Sequence, residues 1–396
     1  MPLSILQRRP DSGLGNIRSS PSAPSRNIDW VLMAAVGALS LIGIAVVYSS
    51  SYRKTPPGST TPYGFQFVTR QEIFLIVAVL VLAAVMSVDY DVIRERARVL
   101  YGATVASLVV IFGMNLINIR GDETVLSFDF GPFNVQPAEF AKFTLLLALA
   151  AYLADDRSEV LPYHRFIVGL LLVGAPAALV ILQPDLGSAS VLIAMVVGVM
   201  LVAGAKARYI AMISALTLAT VGAALVSGLV TQYQIRRFVV FFDQNTTNPD
   251  LRDVVYQGRN AIRAVATGGL TGKGWLEGPI TNAPKDIPVQ WADFPFSAIG
   301  EQFGLIGGAI VLGLYALVLL RVWRIAHLSR DLVGTYLCTG VFTMLLWQVF
   351  QNVAMTVGLM PITGLPLPFI SYGGSGTVTF FALIGLVQSV HMRRYR

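Results

Sequence analysis

Residues 30–50 read WVLMAAVGALSLIGIAVVYSS, an uncharged run that no aqueous core of a chain this size has reason to contain. A helix needs roughly 20 residues to cross about 30 Å of hydrocarbon, and this run is that long. Comparable apolar stretches recur near 72–88, 99–117, 139–154 and 166–182, and again near 186–204, 209–230, 296–321, 332–358 and 376–392. The composition agrees: 55% of the 396 residues are hydrophobic and only 13% charged, about half the charged share of a soluble domain. The expected fold is an all-α integral membrane protein of about ten transmembrane helices, with a long extracytoplasmic loop between the seventh and eighth.

Orientation follows from the basic residues, which stay in the cytoplasm. Ten spans put both termini on one side. If that side is the cytoplasm, the inner segments hold seventeen Lys and Arg and the short outer loops hold four: Arg53, Lys54, Arg70 and Arg120. Residues 1–28, rich in Ser, Pro, Arg and Gly, read as a disordered cytoplasmic tail, and 29–396 as one polytopic domain. The excess of Lys and Arg, 29 against 22 acids, is spread between apolar runs rather than gathered in a stripe, so it marks topology and not nucleic acid. One cysteine, Cys338, excludes an intrachain disulfide, and His164, His327 and His391 lie too far apart for a zinc site.

The 231–295 loop carries Arg236, Arg237, Arg252, Arg259, Arg263, Lys273 and Lys285 with six acids, and long loops escape the charge rule. A 65-residue connection without a job is improbable, so an extracytoplasmic site is expected there. Four patterns could carry chemistry. In Gln136-Pro137-Ala138-Glu139-Phe140-Ala141-Lys142, Glu139 and Lys142 share one helix face, as a self-contained ion pair at the membrane rim or as part of a polar cavity. Asp185, in Gln183-Pro184-Asp185-Leu186-Gly187, suits a helix N-cap or an acid lining the same cavity. Asp293, in Trp291-Ala292-Asp293-Phe294, sits among aromatics that would desolvate it and raise its pKa toward that of a general base; capping the eighth span is the plainer reading. Glu301, just inside that span, is expected to face the same cavity.

The Gly-rich stretch Gly268-Gly269-Leu270-Thr271-Gly272-Lys273-Gly274 lacks the first glycine and the Ser or Thr after lysine of a nucleotide P-loop. Its backbone amides with Lys273 could hold a phosphate, or the stretch is a flexible turn. Gly364 to Gly376 is too rich in Pro and Gly for a helix and reads as a re-entrant segment packed in protein.

Taken in order, Gln136 to Lys142, Gln183 to Gly187, Gly268 to Gly274 and Pro366 to Gly374 resemble the motifs of the SEDS family of bacterial envelope glycosyltransferases, the group of RodA, FtsW and SpoVE. The resemblance runs from about residue 28 to 392. It implies polymerisation of lipid II, an undecaprenyl-diphosphate-linked disaccharide-peptide, into a nascent β-1,4 glycan strand outside the cytoplasmic membrane, with inversion at the anomeric carbon. It implies Asp293 as catalytic base, and Arg70, Glu139, Lys142, Asp185, Arg237, Lys273 and Glu301 as substrate-binding residues. A divalent cation, Mg²⁺ or Mn²⁺, bridging Asp293 or Glu301 to the diphosphate belongs to the same expectation, as does a class B penicillin-binding protein as partner. Trp291, Ala292, Pro295 and Gln302 depart from the family pattern. The expected role is RodA-like elongation, with FtsW-like division as the alternative. A lipid II transporter and a scaffold without catalytic function are the rivals from other classes.

Overall fold

The computed structural model describes residues 27–52, 63–117, 125–130, 133–156, 160–183, 185–226, 232–243, 248, 251–283 and 287–395. The tail expected over 1–28 therefore lies, apart from 27 and 28, outside the described residues. In chain order the elements are α1 (Trp30–Ser51), α2 (Tyr63–Ser87), α3 (Tyr90–Glu95) and α4 (Ala97–Leu116), then a two-stranded hairpin of β1 (Phe128–Phe130) and β2 (Phe133–Val135). There follow α5 (Pro137–Ala154), α6 (Tyr163–Leu182), α7 (Leu186–Val202), α8 (Ala207–Val226), α9 (Gln232–Phe242) and α10 (Arg252–Gly268). The chain closes with α11 (Gln290–Asp293), α12 (Pro295–His327), α13 (Leu332–Thr356) and α14 (Gly374–Met392).

Within the described residues, each apolar stretch read from the sequence falls largely on a helix. Among the described residues eight are long and apolar enough to cross a membrane, and α7 is a shorter apolar helix. Their starts have local causes. Asp29 caps α1 by accepting from the Leu32 amide at 3.0 Å, and Asp331 caps α13 by accepting from Gly334 at 2.8 Å. Pro137 opens α5 at a position where its missing N–H costs nothing. At the far end of α1, Ser49, Ser50 and Ser51 donate to carbonyls of the preceding turn, which hides their hydroxyls inside the bundle.

Packing rather than amphipathicity orders the bundle, because lipid offers apolar helices no reason to prefer one another. Glycines set the closest approaches. A Cβ on Gly385 of α14 would lie 2.8 Å from the Leu82 carbonyl of α2, so these helices touch backbone to backbone. Leu80, Val99, Leu305 and Leu320 point outward as a lipid-facing surface would require, whereas α14 is buried almost all round.

Two features were not foreseen. The stretch read as a long loop contains two amphipathic helices, α9 and α10; α10 buries Val254, Val255 and Ala261 in a small core with Phe294 and Met355. And α12 is broken at Gly304, whose φ of 62° no helical residue adopts. A break strands backbone groups that hydrocarbon cannot satisfy. The Gly-rich stretch supplies their partners: Lys273 N donates to Glu301 O at 2.9 Å, Gly274 N to Gln302 O at 3.1 Å, Leu305 N to Gly269 O at 2.9 Å and Ile306 N to Leu270 O at 3.1 Å.

Candidate functional site

Helix starts build the site. The N-terminal parts of α2, α5, α7 and α14, the end of α11 and one face of α9 converge at one end of the bundle around a cavity of about 970 Å³. The segment Thr363–Thr377 runs along its wall and the β1–β2 hairpin flanks it. Ser375 ties the two together, donating to Asn134 O at 2.6 Å and accepting from Gln136 N at 3.0 Å. Of the residues expected from the sequence, Arg70, Glu139, Asp185, Arg237 and Asp293 all line this cavity.

Asp293 ends α11 and is half-buried beside Arg237. Burial pushes its carboxyl above the usual carboxylate range, and the neighbouring Arg237 guanidinium only partly opposes the shift. Its backbone is held from below: Asn352 donates from one amide group to Asp293 O at 2.9 Å and Leu365 O at 2.7 Å. That single side chain joins the catalytic candidate to the re-entrant segment, and sequence reasoning missed it. Gly364, with φ of 73°, lies against both charges: an added Cβ would be 3.4 Å from Arg237 Nη1 and 3.7 Å from Asp293 Oδ2. Arg70 hydrogen-bonds the Tyr372 hydroxyl, while the Tyr372 amide donates to Trp291 O at 3.0 Å.

The second polar end of the cavity is acidic. Asp185 is both things expected of it: Oδ1 caps α7 by accepting from Ser188 N at 2.9 Å, and Oδ2 accepts from Gln136 Nε2 at 3.1 Å at the cavity surface. Glu139 Oε1 meets Lys142 Nζ at 2.6 Å, so the pair exists, but the two members stand differently. Lys142 is fully buried beneath the lining, 3.3 Å from Gln348 Oε1 and over the Phe380 ring. Only the carboxylate reaches the cavity.

Lys273 and Glu301 are not among the residues that line this cavity. Glu301 is fully buried and accepts from Ile280 N at 2.8 Å, Thr281 N at 2.7 Å and Thr281 Oγ1 at 2.5 Å, which saturates it. Of the Gly-rich amides that could have cradled a phosphate, those of Lys273 and Gly274 are committed to α12 and that of Gly272 to Gly268 O. No group of three or more His, Cys, Asp or Glu is assembled among the described residues, so a cation at Asp293 would have that carboxylate and the substrate diphosphate as ligands rather than a protein cage.

A bundle of membrane-length helices enclosing a polar cavity, with a desolvated carboxylate beside a guanidinium at one end, defines a multi-pass membrane protein equipped for acid–base work on a polar group. The comparison with known proteins makes this specific. The family model described as cell cycle protein, FtsW/RodA/SpoVE, matches residues 29–396, and the chain belongs to that family. The peptidoglycan glycosyltransferase RodA of Treponema pallidum is 28% identical, over 93% of this chain and 98% of its own. A probable peptidoglycan glycosyltransferase FtsW of Geobacter metallireducens is 30% identical over 92% and 95%. A solved structure on the structural coordination of polymerization and crosslinking by a peptidoglycan synthase complex superposes with a TM-score of 0.73 at 28% identity, covering 93% of this chain and 99% of that one.

Proposed function

We propose that this chain is an inverting peptidoglycan glycosyltransferase that polymerises lipid II, with Asp293 as general base. One observation carries the assignment of roles: Asp293, raised in pKa by burial, shares a cavity wall with Arg237. In the reaction, the acceptor hydroxyl oxygen bonds to the donor anomeric carbon as the bond from that carbon to the diphosphate oxygen breaks. The hydroxyl proton passes to Asp293, and the diphosphate leaves with the bonding electron pair. Charge grows on the leaving oxygen, and the fixed cations Arg237 and Arg70 are the groups at the cavity suited to stabilise it.

The site is assigned to the extracytoplasmic side. Two things support that: the seventeen-to-four division of basic residues, and the ion pairs at the opposite end of the bundle, where Arg321 meets Asp29, Arg330 meets Asp91 and Arg393 meets Asp89. A class B penicillin-binding protein is the proposed partner, on the strength of the similar synthase complex. An elongation role is the reading retained from the motifs, and relatives named for both elongation and division match alike.

The test is a glycan gel from lipid II incubated with the reconstituted protein and its partner, whose transpeptidase is blocked. Long strands are expected. Lipid II crossing the bilayer with no glycan made would instead assign the chain to transport.

A further inference from the structure

The cavity is polarised along one strip of chain. At Gly364 the strip lies against Arg237 and Asp293; at Gly376, an added Cβ would lie 3.3 Å from Glu139 Oε2. That oxygen is buried and accepts no hydrogen bond, although its partner Oε1 is engaged by Lys142. A buried acceptor without a donor is costly, on the order of 1–3 kcal/mol or more for a charged group. Glu139 is only 4% exposed and already neutralised by Lys142, so the oxygen does not call for another cation. It calls for a neutral donor. Facing it is the start of α14, a 19-residue helix with no side-chain cap, whose first-turn residues Gly374, Ser375 and Gly376 line the same cavity. Their amides are donors awaiting an acceptor.

A neutral group that both donates and accepts satisfies this pair of walls; a diphosphate does not, because it has no proton to give the unpaired Glu139 oxygen and Asp185 would repel it. We infer that Glu139 and the first turn of α14 form a saccharide subsite, taking a hydroxyl or acetamido group of the lipid-linked disaccharide, while the diphosphate lies at the Arg237 and Arg70 end. This rests on the proposed glycosyltransferase reading and fixes the direction in which substrate lies in the cavity. Lys142, expected among the substrate-binding residues, becomes a positioning residue that holds Glu139 through their ion pair.

Two variants test it by binding rather than turnover. Glu139→Gln keeps the shape and removes the charge. Gly376→Ala leaves the Glu139–Lys142 pair intact and puts a methyl group against Oε2, at a glycine whose φ is not in the left-handed region. Affinity for lipid II and for undecaprenyl diphosphate, which lacks sugar, is measured for each in nanodiscs. Both variants should weaken lipid II by about tenfold or more, the worth of one hydrogen bond to a charged group, and leave undecaprenyl diphosphate within about twofold of wild type. Gly376→Ala keeps the test valid if Glu139→Gln fails to fold. A lipid II analogue with hydroxyl in place of acetamide distinguishes the two sugar groups: a matching loss in wild type assigns the acetamide, an undiminished affinity the hydroxyl. Equal losses for lipid II and undecaprenyl diphosphate would overturn the subsite. Failure of wild type to bind lipid II at all would instead overturn the glycosyltransferase reading.

Discussion

Two glycines in the same loop should behave very differently when given a methyl group. Gly269 has φ of 58° and its Cβ would meet nothing within 4 Å. Gly269→Ala therefore carries only a backbone penalty, about 1–3 kcal/mol, because φ of 58° with ψ of −141° is a conformation that glycine adopts and L side chains rarely do. Gly272 has φ of 85°, and its Cβ would lie 2.1 Å from the Gln302 carbonyl oxygen, closer than any real contact. The loop must lift off α12. Lifting loosens the four backbone hydrogen bonds that bridge residues 269–274 to 301–306, roughly 4 kcal/mol together. With the same conformational penalty, Gly272→Ala should cost about 5 kcal/mol or more. In detergent-solubilised protein the melting temperature should fall by roughly 6 °C or more for Gly272→Ala and by about 1–4 °C for Gly269→Ala. Equal small shifts would refute the argument that this loop exists to satisfy the broken helix.

Other outcomes follow from the cavity and the opposite end of the bundle. Gly364→Ala should fold with a cost near 1–2 kcal/mol yet lose most polymerase activity, since its methyl group would occupy the cavity wall in contact with both Arg237 and Asp293; full activity in the gel assay would sink that view. Asn352→Ala removes the donor shared by Asp293 O and Leu365 O, and should lower the polymerisation rate at least tenfold with lipid II affinity little changed. Burial raises the Asp293 carboxyl, so its contribution to stability is present below the unfolded carboxylate pKa and is lost as pH rises through the folded one. Asp293→Asn should accordingly melt no lower than wild type at pH 8, and the wild-type rate should fall on acidification as Asp293 takes up its proton, a dependence read from rate against pH. Tyr90 lies between Asp331 Oδ2, at 2.8 Å, and Arg330 Nε, at 2.6 Å, so Tyr90→Phe should destabilise the protein by about 1–3 kcal/mol without altering lipid II affinity.

Helices were legible wherever lipid is the solvent, because an uncharged run of membrane length has one stable backbone solution. The sequence reading failed where backbone geometry decides. Gly304 sits in an apolar run read as continuous, and nothing in its neighbours signals a break; the partners that Glu301, Gln302, Leu305 and Ile306 find some thirty residues earlier explain it. For the same reason the Gly-rich stretch was open to a phosphate reading: glycines that admit a ligand's oxygen also admit a carbonyl. Helices α9 and α10 carried a signal that was available, apolar residues at helical spacing on one face, as in Val254, Val255 and Ala261. Of the site, the charged residues stood out because an ionisable group near lipid needs a reason. Glu301 had such a reason too, but a structural one, in the turn at Ile280 and Thr281. Asn352 and Gly364 were invisible: a neutral amide inside an apolar helix and a glycine among prolines acquire their roles only when the re-entrant segment folds against Asp293.

The most direct measurement compares wild type and Asp293→Asn, reconstituted with the partner whose transpeptidase is blocked, for glycan strands made from lipid II. The account predicts long strands from wild type and none from the variant, with the variant folded, bound to the partner and still binding lipid II. Equal strands from both would contradict it, and would make Asp293 a structural residue.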